Sequence, residues 1–123
     1  MKRIFNFLLI LFISVNVLNA QKPYVEYWQN GQKATEGTLS DKNIRIGEWR
    51  WFYENGSLQK IGEYNEKGLK VGEWKDYYAD GKLQKQEFLS GKGECKAFYD
   101  NGQIQYSYNV VDGLKQGEYN EYY

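Results

Sequence analysis

Histidine is absent from this chain, and cysteine and proline each occur once. Without histidine the commonest general base is missing and His-dependent triads are excluded. A lone Cys95 closes no intrachain disulfide. With no cationic cluster beside it, it reads as a small half-buried residue, not a reactive thiol. Net charge is lacking too, because 16 basic and 16 acidic side chains balance and are interspersed. Nothing therefore argues electrostatically for a nucleic-acid partner. No Cys/His/Asp cluster has metal-ligand spacing and no Gly-rich loop precedes a helix, so neither metal nor cofactor is expected.

Long apolar runs are also missing, with one exception. The chain opens MKRIFNFLLILFISVNVLNAQ, with Lys2 and Arg3 ahead of an apolar run from Phe7 to Ile13 and then Leu18, Asn19 and Ala20. That layout predicts a helical signal peptide over residues 1–20, cut between Ala20 and Gln21. The alternative is a membrane anchor, but Asn6, Ser14 and Asn16 interrupt the segment, which falls short of the ~20 apolar residues a span needs. The expectation is export to the periplasm or the extracellular space, with membrane contact only through the leader before cleavage. Residues 21–123 then form one domain, with net charge −2 once Lys2 and Arg3 have left.

What the remainder does contain is aromatic residues and glycine. Aromatic pairs recur at Tyr27-Trp28, Phe52-Tyr53, Tyr77-Tyr78, Phe98-Tyr99 and Tyr122-Tyr123, at intervals of 25, 25, 21 and 24. Five residues ahead of the last four pairs stand Gly47, Gly72, Gly93 and Gly117, each followed by glutamate. Turn signals follow the first four pairs: Asn30-Gly31, Asn55-Gly56, Asp80-Gly81 and Asn101-Gly102. Such dipeptides favour type I′ hairpin turns, in which both central residues have positive φ. The spacing predicts an extended, twisted antiparallel meander of about nine strands. Its hairpins cover about 22–40, 47–65, 72–90 and 93–111, with a final strand at 117–123 and looser links between them.

A two-residue turn also fixes which residues oppose. Around Asn55-Gly56 it places Tyr53 opposite Leu58, Trp51 opposite Lys60, Trp49 opposite Gly62 and Gly47 opposite Tyr64. In the fourth hairpin it sets Cys95 against Tyr108 and Ala97 against Tyr106. Large rings are thus expected over glycines or small residues within these two hairpins.

The string GEWKDYYADG at 72–81, with its counterpart at 47–56, resembles the variant MORN repeat of bacterial YwqK-type antitoxin proteins. The third repeat departs from it, having Cys95 where tryptophan is usual. The resemblance implies a MORN-like β-hairpin repeat domain over 21–123 and a role in neutralising a toxin by covering its surface. With export, that role becomes immunity within the envelope.

Strand alternation divides the residues between two faces. One, expected to be packed, carries Trp49, Trp51, Tyr53, Leu58, Tyr64, Trp74, Tyr78, Leu83, Leu89, Tyr99, Ile104, Tyr106, Tyr108 and Val110. The other carries an aromatic column, Tyr27, Phe52, Tyr77, Phe98 and Tyr122, beside Arg50, Lys75 and Lys96. Two readings of this column stay open. It is a recognition surface for a protein partner or glycan, or it stacks repeat on repeat beneath lysine stems. The glutamates Glu48, Glu73, Glu94 and Glu118 do not suggest glycoside hydrolysis, because equivalent positions give carboxylates similar environments. An exported, non-enzymatic repeat protein that binds a protein partner is the expected function. The alternatives are a structural envelope spacer or a glycan or cell-wall binding module, since the aromatic repeats are distantly similar to those of choline- and glucan-binding modules.

Overall fold

The structure, a computed structural model, describes residues 21–123; the expected signal peptide, residues 1–20, lies outside them. The described residues form nine strands: β1 Lys22–Tyr27, β2 Lys33–Leu39, β3 Arg45–Phe52, β4 Leu58–Tyr64, β5 Lys70–Tyr77, β6 Leu83–Phe88, β7 Lys92–Phe98, β8 Ile104–Val111 and β9 Leu114–Glu121. They lie in one sheet in sequence order, each antiparallel to the next. No helix occurs among the described residues. The nine-strand all-β meander expected from the repeat spacing is the observed fold.

The turns differ from expectation. Gly31, Gly56, Gly81 and Gly102 have φ between 83° and 90°, but the Asn or Asp before each does not share the positive φ that type I′ requires. At 53–57 the Gly56 N–H donates to the Tyr53 carbonyl, and the Tyr53 N–H donates to the Ser57 carbonyl. This is a three-residue loop with glycine alone in the left-handed region. The Asn55 side chain accepts from the Ser57 N–H at 2.9 Å instead, an Asx bond that suits asparagine before glycine. Two positive φ values in succession occur at Asp112-Gly113, 50° and 78°, joining β8 to β9. Two of the links are not looser either, since Asn65–Leu69 and Ser40–Ile44 close with the same bond pattern as the hairpins.

Away from the turns the opposing residues are as counted: Trp51 with Lys60, Trp49 with Gly62, Gly47 with Tyr64, Cys95 with Tyr108 and Ala97 with Tyr106. Beside the turns the register slips by one. Leu58 stands opposite Phe52, not Tyr53, and the same holds for Leu83 with Tyr77 and Ile104 with Phe98. These aliphatic residues therefore pair with the aromatic column, where the sequence reading had assigned them to the packed face.

The cover of glycine by tryptophan runs between hairpins, not within them. Between β2 and β3 the pairing passes from Glu36–Arg50 to Thr38–Ile46, leaving two extra residues in β3 around Gly47, whose φ is 66°. The bulge throws Trp49 back across the preceding strand. Its ring covers Gly37, where an added Cβ would stand 2.2 Å from it, and its Nε1 donates to the Ile46 and Thr38 carbonyls. Gly62 is covered in turn by Trp74 of the next repeat, at 2.1 Å by the same measure. The expected intra-hairpin cover of Gly62 by Trp49 is thus replaced by an interlock of each repeat with the one before. Trp49, Tyr64 and Trp74 are the buried centre. Trp49 meets Tyr64 edge-on at 6.3 Å, as Tyr64 meets Trp74 at 5.3 Å, a geometry favoured by aromatic quadrupoles.

Candidate functional site

The aromatic column crosses the sheet with one ring at the end of β1, β3, β5 and β7 and Tyr122 one residue past the end of β9. Tyr27 and Tyr122, at its ends, are 63% and 48% exposed; Phe52, Tyr77 and Phe98 between them are half-buried. With Leu58, Leu83 and Ile104 opposite them, the three central rings belong to a stripe of alternating aromatic and aliphatic side chains.

Repeat-to-repeat stacking is carried by other groups. Trp28 Nε1 and the hydroxyls of Tyr53, Tyr78 and Tyr99 donate to the backbone carbonyls of Phe52, Tyr77, Phe98 and Tyr122, at 3.1, 2.6, 2.8 and 3.3 Å. The second aromatic of each pair is therefore the tie to the next repeat. Asn30 and Asn55 add amide bonds to the Glu54 and Ala79 carbonyls of the following turns. The first aromatic contributes only its main chain to these ties, and its ring is left at the surface.

Arg50, Lys75 and Lys96 flank the stripe, each paired with the glutamate two residues earlier. Glu48–Arg50 is 2.5 Å, Glu73–Lys75 3.4 Å and Glu94–Lys96 2.8 Å. Residues two apart on a strand share a face, so the glutamate column serves as counter-charge. Glu36 joins in, 3.6 Å from Arg50, and its carboxyl is held below the usual range mainly by its hydrogen bond from Lys33. Among the described residues no group of three acidic, cysteine or histidine side chains is placed to hold a metal.

The opposite face holds residues that the sequence reading passed over. The Arg45 guanidinium lies 4.7 Å from the Trp49 ring centroid and 5.7 Å from that of Trp51. Lys70 Nζ sits 4.6 Å over Trp74, and Lys115 Nζ 4.6 Å over Tyr108 and 5.1 Å over Tyr119. Each stands two residues ahead of a bulge glycine, as Arg45-Ile46-Gly47, Lys70-Val71-Gly72 and Lys115-Gln116-Gly117. That spacing was the available signal, hidden by starting the strands at glycine.

Comparison with known protein families adds one finding. The model described as MORN repeat variant matches residues 45–66, 70–89 and 92–112, slightly more than half of the chain. The chain belongs to the MORN repeat variant family. Each MORN segment opens on a basic residue, Arg45, Lys70 or Lys92, so the unit includes the cation ahead of the Gly-Glu pair. The first hairpin and β9 lie outside the matched MORN segments yet continue the same sheet. No curated protein and no solved structure matches the chain.

Proposed function

We propose that this is an exported, non-enzymatic MORN-repeat protein that binds a protein partner through the stripe of Tyr27, Phe52, Tyr77, Phe98 and Tyr122 with Leu58, Leu83 and Ile104. The observation that carries this reading is the division of labour within each aromatic pair. Stacking is met by the second member's hydrogen bond, so the first ring is surplus to the fold's own needs. A stripe of half-exposed rings between ion pairs has the composition of an interface, apolar at its centre and polar at its rim. Arg50, Lys75 and Lys96, already neutralised by glutamate, supply that rim.

The likeness of the repeat string to YwqK-type antitoxins sharpens the partner to a toxin whose surface is covered. The N-terminal leader moves the encounter to the envelope, where the role is immunity. The test is to coexpress the chain with the product of its neighbouring gene and score growth. Rescue by the native chain, lost on Phe52→Ser with Tyr77→Ser in a protein of unchanged near-ultraviolet spectrum, is the expected result. Rescue that survives both changes refutes the stripe, and absence of any rescue refutes the immunity role.

A further inference from the structure

The two faces of the sheet balance their charges differently. On the stripe face Arg50, Lys75 and Lys96 are each paired with glutamate. On the tryptophan face the internal pairs are Lys60–Asp76 at 3.5 Å and Lys85–Glu87 at 2.8 Å. Glu26 is engaged by the Tyr24 hydroxyl. Arg45 and Lys70 form no ion pair among the described residues. Both are exposed and held by ring faces, not by acids. The adjoining links add Asp41 with Lys42 and Glu66 with Lys67, which cancel.

Arg45 opens β3 and Lys70 opens β5, with β4 between them. Two strand spacings put the β3 and β5 backbones about 10 Å apart. Between them lies an open groove of ≈ 280 Å³, with half-buried Trp51 in its wall and Gln59 and Lys60 beside it. We infer that this groove binds an acidic oligosaccharide, with carboxylates on alternate sugar units met by Arg45 and Lys70 and the neutral unit between them lying across Gln59 and Lys60.

The chemistry selects this class in three steps. A quaternary ammonium ligand is excluded, because cations of the chain itself already occupy the ring faces that would cage it. A peptide lacks its usual footholds: β3, β4 and β5 are each paired on both sides, and the shallow groove offers no deep pocket for an anchor side chain. A carboxylate polymer meets Arg45 through two parallel N–H donors and leaves hydroxyls for Gln59 and Lys60. Lys115 over Tyr108 and Tyr119 repeats the cation-on-ring element at the other end of the sheet. The third repeat does not, since Lys92 directly precedes Gly93 and so falls out of phase.

The test titrates the whole chain with oligomers of alternating glucuronate and N-acetylglucosamine, following tryptophan fluorescence at low and high salt. Saturable binding that weakens with salt is expected, with no response to neutral N-acetylglucosamine oligomers. Arg45→Gln and Lys70→Gln should each weaken binding roughly two- to fivefold, the range set by exposed ion pairs, and Arg45→Lys should restore part of the loss. Lys75→Gln, on the other face, should leave affinity unchanged. Phe52→Ser with Tyr77→Ser should keep saccharide binding while losing rescue, which separates this site from the protein-binding stripe. Equal affinity for polyglutamate, or binding to vesicles of phosphatidylglycerol without binding to the oligomer, overturns the saccharide class. Unchanged affinity in the double variant Arg45→Gln/Lys70→Gln overturns the site.

Discussion

The second and third MORN segments solve one packing problem in opposite ways. In the second, a bulge at Gly72 throws the Trp74 ring onto Gly62 of the preceding strand. In the third the bulge is absent: Gly93 lacks positive φ, the β6–β7 ladder shrinks to two residue pairs, and Cys95 replaces tryptophan. The interlock then reverses, with Phe88 of β6 covering Gly93 of β7. Volume is thus conserved across the strand pair while the ring changes strands. Glycine is required beneath a ring on whichever strand lacks one, and the bulge is required only when the ring comes from the later strand.

The largest effect that separates the two solutions comes from adding a methyl beneath each ring. In Gly62→Ala the new Cβ would stand 2.1 Å from Trp74, a ring fixed by Trp51, Tyr64 and its Nε1 bond to the Val71 carbonyl. The ring cannot yield without moving the buried cluster, so a loss near the top of the ~1–3 kcal/mol range for overpacking is expected. Gly93→Ala brings its Cβ to 2.5 Å from Phe88, which is only half-buried and free to swing outward. About 1 kcal/mol is expected there. Urea unfolding of both variants checks the order, and equal losses would show that the reversed interlock is as tightly constrained as the original.

A smaller contrast isolates the bulge from the ring. An added Cβ at Gly72 meets nothing closer than Glu63 Oε2 at 3.9 Å, but φ there is +68°. Gly72→Ala should therefore cost about 1–2 kcal/mol from backbone conformation alone. Lys67→Ala, at an exposed turn position, serves as the control and should stay within about 0.5 kcal/mol. Loss in Gly72→Ala matching that of Gly62→Ala would mean that the bulge also has a packing role.

These contrasts also mark where sequence reasoning stopped. Turn glycines at a fixed offset from aromatic pairs were enough to count nine strands and to oppose Trp49 with Gly62, because register follows from the turn. Turn type was not legible, since asparagine before glycine serves a three-residue loop through its Asx bond as readily as a type I′ turn through positive φ. That one-residue difference moved Leu58, Leu83 and Ile104 beside the column of Phe52, Tyr77 and Phe98. Opposition of Cα atoms does not say which way a ring leans, so the cover of Gly37 by Trp49 needed the bulge to be seen. Tyr27, Phe52, Tyr77, Phe98 and Tyr122 could be picked out by their repetition. Arg45 and Lys70 could not be told from ordinary surface charge until their ring contacts and lack of acidic partners were visible.

The smallest effect belongs to the end of the third segment, where Cys95 stands opposite Tyr108. Burial first, and then the neighbouring Cys95 thiol, push the Tyr108 phenol from 10.0 up to about 12. The folded state thus disfavours the phenolate relative to the unfolded chain. The stabilising contribution is whole below pH 10, the unfolded value, and drains away as pH rises toward about 12. Tyr119 is raised in the same direction, first by partial desolvation, but stands exposed and contributes little to the slope. Tyr108→Phe keeps the ring stacked on Tyr106 but cannot ionise, so its urea midpoint should fall less between pH 10 and 12 than that of the native chain. Trp74, which stands in the second segment where the third has Cys95, carries no titratable group, so Trp74→Phe should leave the alkaline slope unchanged however much stability it removes. Parallel alkaline slopes for Tyr108→Phe and the native protein would mean that Tyr108 ionises with its neighbours at ordinary pH, and that the third segment is looser around Cys95 than its burial indicates.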